Sequence, residues 1–252
     1  MTPLETYAAT FLVFFCRIGT ALILMPAFSS SRFPVMVRLL VALLLTGAIA
    51  GFLSHESANI AMQIDRNLLI QTVLIELFVG LLFGFWCQCF LHAARLAGAF
   101  TASAAGLAGM PGQPIDDPES VSQLSTLLSL MVIAIMFATD LHLVSLRALI
   151  DTYALLPAGT LPDVVWTIDQ TTQLLRDSAV LAVKMSSPIV VTVLVVNLAL
   201  GICNRFTPQL QVYFSTLGLT ILLCFFVLAL ATPTVLNVPI EAYRDWLTGG
   251  VL

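Results

Sequence analysis

Among the ionisable residues inside, or at the edge of, apolar runs are Arg17, Glu76, Asp140 and His142. A carboxyl and an imidazole two residues apart at a helix end, as Asp140 and His142 are, are groups from which a proton relay is built. The plainer reading of Asp140 and His142 is a helix cap or contact with a polar interface. Arg17 lies at the centre of the apolar run 7–28, where a guanidinium costs about 2.5–3.5 kcal/mol on insertion scales and is too far from either end to reach water easily. It is expected to face protein, and Arg17 and Glu76 are each expected to need a protein partner, one another included. Cys87, Cys89 and His92 are metal-ligand types, but at about 100° per residue the two thiols would diverge by about 200° on a helix. No metal and no cofactor is expected. The chain has no G-x-S-x-G, no H-E-x-x-H and no nucleophile convergent with a base, so an enzyme is not expected either.

The elements that must position these groups are apolar. The chain has 252 residues, 59% hydrophobic and 10% charged, with a mean hydropathy of +1.01. Such a composition belongs to an integral membrane or membrane-derived protein. The net charge of −4 is too small and too scattered to attract nucleic acid or an anionic lipid surface. Five cysteines, Cys16, Cys87, Cys89, Cys203 and Cys224, sit inside apolar runs as small hydrophobes, so no disulfide framework is expected. Glu5 precedes the first cation, Arg17, and a cleaved signal peptide is not expected.

Apolar runs at 7–28, 35–53, 68–90 and 121–138, and two more within 185–232, predict an all-α, membrane-type bundle of about six apolar segments arranged as long helices and helical hairpins. The last two runs hold about 20 residues each and bend at Asn204, Arg205, Phe206, Thr207 and Pro208, where Pro208 must break the helix. Between 163 and 187 apolar residues recur at helical spacing, which predicts an amphipathic helix leading into the hairpin, with Lys184 near its end and able to snorkel. The stretch 233–252 reads as a short polar tail.

Three features concern neighbours. Gly80 and Gly84 form a G-x-x-x-G pair, and Ala94, Gly98, Ala102 and Gly106 continue a four-residue recurrence, on the same or a following helix; small residues at that spacing let helix backbones approach closely. Gly201 adds a further small residue in the hairpin. Asn197, Gln209 and Gln211 are amides in an apolar hairpin, and an amide in hydrocarbon must find a partner on another helix. For Gln209 and Gln211, beside the corner, a place near the headgroups is equally open. Finally, residues 106–118, GLAGMPGQPIDDP, cannot stay helical with three glycines and three prolines in thirteen residues, yet carry no charge before Asp116. An ordinary loop between spans is one reading; irregular backbone buried in protein or lining a watery cavity is the other.

A proton-coupled transporter would use Arg17, Glu76, Asp140 and His142, but no two-half repeat of broken helices is evident. A structural part of a multi-protein conduit accounts for the amides, the small-residue stripes and the uncharged loop together. The positive-inside rule does not decide the topology: with six spans and an external N-terminus, Arg32, Arg38, Arg95 and Arg205 fall inside, against Arg66, Arg147, Arg176, Lys184 and Arg244 outside.

The hairpin spelling NLALGICNRFTPQLQVYF closely resembles the signature of the FliR family of flagellar export-gate proteins, with Asn197, Gly201, Arg205, Pro208, Gln209, Val212 and Phe214 at the family's spacing. The F-C-R-I-G start, the Pro26 stop, the pattern Glu76, Gly80, Gly84 and the later Leu156, Pro157, Ala158, Gly159 are similar too, so the resemblance spans nearly the whole chain. It implies a structural component of the flagellar type III export gate in the bacterial inner membrane, at the flagellar basal body. The implied partners are FliP-like and FliQ-like subunits, FlhB and FlhA, with unfolded exported proteins passing through the channel. It also implies a FliP-like part, 1–184, and a FliQ-like hairpin and tail, 185–252, with much of the gate above the bilayer plane. In such proteins the loop equivalent to 106–118 projects into the channel as part of a plug, which assigns Gly109, Met110, Pro111, Gly112, Gln113, Pro114 and Ile115 to plugging. Asp117 and Pro118 match the family's following Asp-Pro, whereas Met110, Pro111 and Ile115 replace its usual aromatic-bearing loop, and Leu141 stands where the family commonly has glycine. The nearest rival within the resemblance is the injectisome counterpart; Asn197 favours the flagellar branch, because injectisome versions tend towards an acidic residue there.

Overall fold

A computed structural model describes residues 3–26, 28–29, 34–52, 69–106, 123–206 and 212–249. The described residues form seven helices: α1 (Pro3–Leu24), α2 (Val35–Phe52), α3 (Leu69–Ala104), α4 (Gln123–Ala138), α5 (Leu141–Leu155), α6 (Val164–Phe206) and α7 (Val212–Thr248). Four of them, α1, α3, α6 and α7, are long and apolar enough to cross a membrane, and α4 with α5 makes a fifth span if the broken pair counts as one. The all-helical, membrane-type expectation therefore holds.

Hydroxyl side chains are accommodated inside these apolar helices by bonding backward to carbonyls one turn earlier. Thr46 donates to Ala42 O at 2.7 Å, Ser145 to Leu141 O at 2.8 Å and Thr192 to Pro188 O at 2.7 Å. Pro188 lies inside α6 and cannot donate to the carbonyl of Lys184 four residues back. Ser187 Oγ donates to that carbonyl instead, at 2.8 Å, so the helix continues without an orphaned acceptor.

The chain divides into two compact units. The first comprises Met1–Cys89, Met136–Leu174 and Arg244–Leu252. In α1 the buried residues Phe14, Ile18, Ala21 and Leu22 fall at helical spacing on a single face, which Met25 continues just past the helix end. Helices α1 and α2 pack together, with Ala42, Thr46 and Ile49 of α2 buried and Met36, Leu40 and Leu44 exposed. Ile75, Val79, Phe83 and Trp86 of α3 and Leu141, Ala148 and Leu149 of α5 complete this core. Trp86 stacks edge-on to Trp166, with ring centroids 5.8 Å apart, and donates Nε1–H to Thr171 Oγ1 at 3.0 Å. The second unit comprises Phe90–Ile135 and Leu175–Tyr243. Its core draws Leu91, Ala94 and Ala97 from α3, Leu124, Leu128 and Val132 from α4, Ala182, Met185 and Ile189 from α6, and Val235, Leu236 and Tyr243 from α7.

Three expectations change. The stretch 233–252 is not a polar tail: α7 runs on to Thr248 through Pro233 and Pro239, and its far end buries Val235, Leu236, Ile240, Tyr243 and Leu247 at intervals of a helical face. The amphipathic stretch 163–187 and the first arm of the hairpin are one helix of 43 residues, about 64 Å long and thus about twice the thickness of a hydrocarbon layer. Helix α5, which carries Arg147 and Asp151 among its apolar residues, is an element that apolar runs alone did not mark. The hairpin corner 207–211 lies outside the described residues.

Candidate functional site

The chemistry-bearing residues that come together are Arg17 of α1 and Glu76 of α3, both wholly buried. Arg17 Nε donates to Glu76 Oε2 at 2.6 Å and Nη2 donates to Oε1 at 2.9 Å, a two-point fork on one carboxylate. Nη1 donates to the carbonyl of Leu156 at 3.0 Å and reaches Thr152 Oγ1 at 3.4 Å. Thr152 sends its own proton to Leu149 O at 2.6 Å, which leaves its lone pairs to Arg17. The guanidinium carbon sits 4.1 Å from the centre of the Tyr153 ring, a cation over a π face. Glu76 Oε1 also accepts the Gly159 N–H at 2.9 Å. Buried charges persist only when paired and hydrogen-bonded, and this pair has both kinds of support.

Small residues on α3 make the meeting possible. Glu76, Gly80 and Gly84 are spaced four apart and face α1 in parallel register. A Cβ at Gly80 would collide with Thr20 Oγ1 and the Arg17 carbonyl, and one at Gly84 would lie 2.8 Å from Leu24 Cβ and 2.9 Å from Ala21 O. The register continues to Gln88, whose Oε1 accepts from Ser29 Oγ at 3.4 Å. Because the two backbones lie this close, the carboxylate one turn before Gly80 is delivered straight to the guanidinium. The α5 side of the site is set by a turn: Thr160 N–H donates to Pro157 O at 3.1 Å with Gly159 at φ +83°, the third-position geometry that favours glycine in a type II turn. Asp163 then starts α6, its Oδ1 accepting from Val165 N–H at 3.3 Å.

The other sequence-derived residues fall elsewhere. Gly98 does bring backbones together, since a Cβ there would be 2.6 Å from Ser125 N and 2.9 Å from the Leu124 carbonyl carbon. Gly106 does not belong to that stripe: it follows the end of α3 with φ +73°, a left-handed position that stops the helix. Among the described residues, nothing lies within 4 Å of a Cβ built at Gly201. Asp140 is exposed and stands at the N-cap of α5 with φ 57°, its carbonyl accepting from Leu143 N–H at 2.9 Å, but its side chain makes no cap bond. His142 is partly buried against the Phe137 ring, centroids 4.8 Å apart, and its Nδ1 has no hydrogen-bond partner among the described residues. Asn197 and Arg205 are exposed, not buried, within the chain by itself. Pro208, Gln209, Gln211 and the loop residues Gly109, Met110, Pro111, Gly112, Gln113, Pro114 and Ile115 lie outside the described residues. Thr152, Tyr153 and the backbone of Leu156 and Gly159 were not anticipated as parts of the site; the Leu156, Pro157, Ala158, Gly159 spelling was the signal, without a role attached.

A second feature is what the helices leave uncovered. In α6 the residues Val191, Leu194, Val195, Leu198 and Ile202 are exposed around Asn197, and in α7 so are Leu219, Leu222, Phe225, Phe226 and Leu230. Only 33% and 28% of the apolar windows of α6 and α7 are buried, against 56% for α3. Lys184 and Arg205 bracket the charge-free part of α6, about 32 Å apart along the axis.

Comparison with known proteins bears on the whole length. The chain is 26% identical over 246 residues to the flagellar biosynthetic protein FliR of Caulobacter vibrioides, covering 98% of this chain and 96% of that one. It is 24% identical over 242 residues to the FliR of Aquifex aeolicus, covering 96% and 92%. With the FliR of Escherichia coli it shares 25% identity over 222 residues, covering 83% and 79%. The profile of the bacterial export proteins, family 1, matches residues 8–245. The chain belongs to that family of bacterial export proteins, the FliR family.

Proposed function

We propose that the chain is a structural channel component of the flagellar type III protein export gate, passing unfolded flagellar substrates across the bacterial inner membrane at the basal body. It assembles there with FliP-like and FliQ-like subunits, beside FlhB and FlhA. Residues 1–184 form the FliP-like part, 185–252 the FliQ-like hairpin and end helix, and the loop 109–115 contributes to the channel plug. The observation that carries this reading is the exposed amide of Asn197 in the middle of the uncovered apolar face of α6. Lipid covers leucines and valines well, but it offers no partner to an amide. A neighbouring protein helix offers both.

The internal charges support a structural role as well. Arg17 and Glu76 occupy one another and the backbone around them, which suits a fixed brace better than a group that exchanges protons. The test is purification of the protein from native membranes under mild detergent, with identification of what accompanies it. FliP-like and FliQ-like subunits are expected in the same particle. Recovery of a stable, solitary, lipid-surrounded chain overturns the reading, and injectisome subunits in the particle would replace the flagellar assignment with its counterpart.

A further inference from the structure

The contacts of Arg17 and Glu76 with the backbone have opposite polarity. Arg17 Nη1 holds the Leu156 carbonyl at 3.0 Å, and Glu76 Oε1 holds the Gly159 N–H at 2.9 Å. These two backbone groups lie at the start of the connector between α5 and α6, one at the last turn of α5 and the other in the turn 157–160. We infer that Arg17 and Glu76 are positioning residues that clamp this connector in a direction-specific way, and that mutual neutralisation is only part of their role. A cation is required at 17 because a carbonyl faces it, and an acceptor is required at 76 because an N–H faces it. A Cβ at Gly159 would lie 3.4 Å from Thr72 Cγ2, so α3 also flanks the connector one turn before Glu76, the residue that bonds it. The clamp thereby fixes where the long helix α6 begins. This inference rests on the geometry of the first unit alone and stands apart from the proposed export role.

Two variants separate the clamp from plain charge cancellation. In the exchange R17E/E76R, opposite charges still face one another, but a carboxylate then meets the Leu156 carbonyl and a guanidinium meets the Gly159 N–H. In E76Q the negative charge is lost, yet an amide oxygen can still accept from Gly159. Hydrogen exchange of the full-length chain in detergent micelles reads the outcome, taking amides of the 157–160 turn relative to those of α1. The clamp predicts that the exchanged pair loses protection there by about tenfold, as E76A does, while E76Q stays within about threefold of the parent. Charge cancellation alone predicts the reverse order, and parent-like protection in R17E/E76R overturns the inference. If the exchanged pair does not accumulate, E76Q and E76A decide: equal loss of protection in the two overturns it, and retention in E76Q alone upholds it.

Discussion

Replacement of Gly98 by alanine tests the closest backbone approach in the second unit. The added methyl would lie 2.6 Å from Ser125 N and 2.9 Å from the Leu124 carbonyl carbon, where ordinary contact begins at 3.4 Å, and main-chain atoms cannot swing aside. Helix α4 must therefore retreat from α3 by about 1 Å, a gap that already forfeits a quarter to a half of the dispersion attraction at each contact. Overpacking of this kind costs about 1–3 kcal/mol, and the better helix propensity of alanine returns about 1 kcal/mol. The net expectation for Gly98→Ala is a loss of up to about 2 kcal/mol. Gly201 supplies the internal control, because no described residue lies within 4 Å of its built Cβ. Gly201→Ala should leave the isolated chain unchanged or stabilise it by up to about 1 kcal/mol. Denaturant titration of both variants in the same micelles, followed by far-ultraviolet circular dichroism, should separate their stabilities by about 1–3 kcal/mol, the overpacking cost, since both gain the same helix propensity. Coincident midpoints would refute the argument that the α3–α4 contact depends on the missing side chain.

The remaining expectations concern the first unit and the loop. Glu76→Ala leaves the Arg17 guanidinium buried without an anion and should destabilise the chain by about 3–5 kcal/mol, measured in the same titration; a loss below about 1 kcal/mol would mean that water or another carboxylate reaches Arg17. Trp86→Phe keeps an aromatic side chain but removes the Nε1–H to Thr171 along with part of the buried indole, and a double-mutant cycle with Thr171→Val should give a coupling of about 0.5–1.5 kcal/mol for the bond itself; additive losses would mean that the bond contributes nothing. Deleting residues 109–113 should leave assembly with neighbouring subunits intact but make the closed gate leak small ions; conductance equal to the parent's would count against a plugging role.

Much of the architecture was legible in hydropathy because the apolar runs are long. Helices α1, α2 and α3 start within a few residues of where the runs start. The parallel register of α3 on α1 was half legible: the spacing of Gly80 and Gly84 announces a close approach, but nothing local says that the approach is to Arg17, Thr20 and Ala21. What remained hidden depends on tertiary context. Helix α5 carries Arg147 and Asp151, so its buried residues Leu141, Ser145, Ala148, Leu149 and Thr152 are too few to dominate a hydropathy reading although they share a face. The end of α7 reads as a tail because Pro233 and Pro239 are helix breakers by propensity, and only packing of Val235, Ile240 and Tyr243 shows that the helix survives them.

One rule, applied to two residues, gave two different results. A polar side chain in an apolar run must find a partner, and for Arg17 the chain supplies one internally: a carboxylate, a carbonyl, a hydroxyl and an aromatic face converge on it. Asn197 obeys the same physics on a helix no less apolar, yet it stays exposed in the chain by itself, with Leu194, Val195 and Leu198 exposed beside it. The contrast separates what this polypeptide completes alone from what it leaves to others. The first unit carries a finished brace, while the C-terminal part of α6 presents an amide, a bare glycine at 201 and an uncovered apolar surface. On that face Gly201→Ala should be harmless to the isolated chain but should reduce co-purification with companion subunits, since the space it fills is the space a neighbouring backbone would use. Undiminished recovery of the companions with the alanine variant would place their contact on another surface.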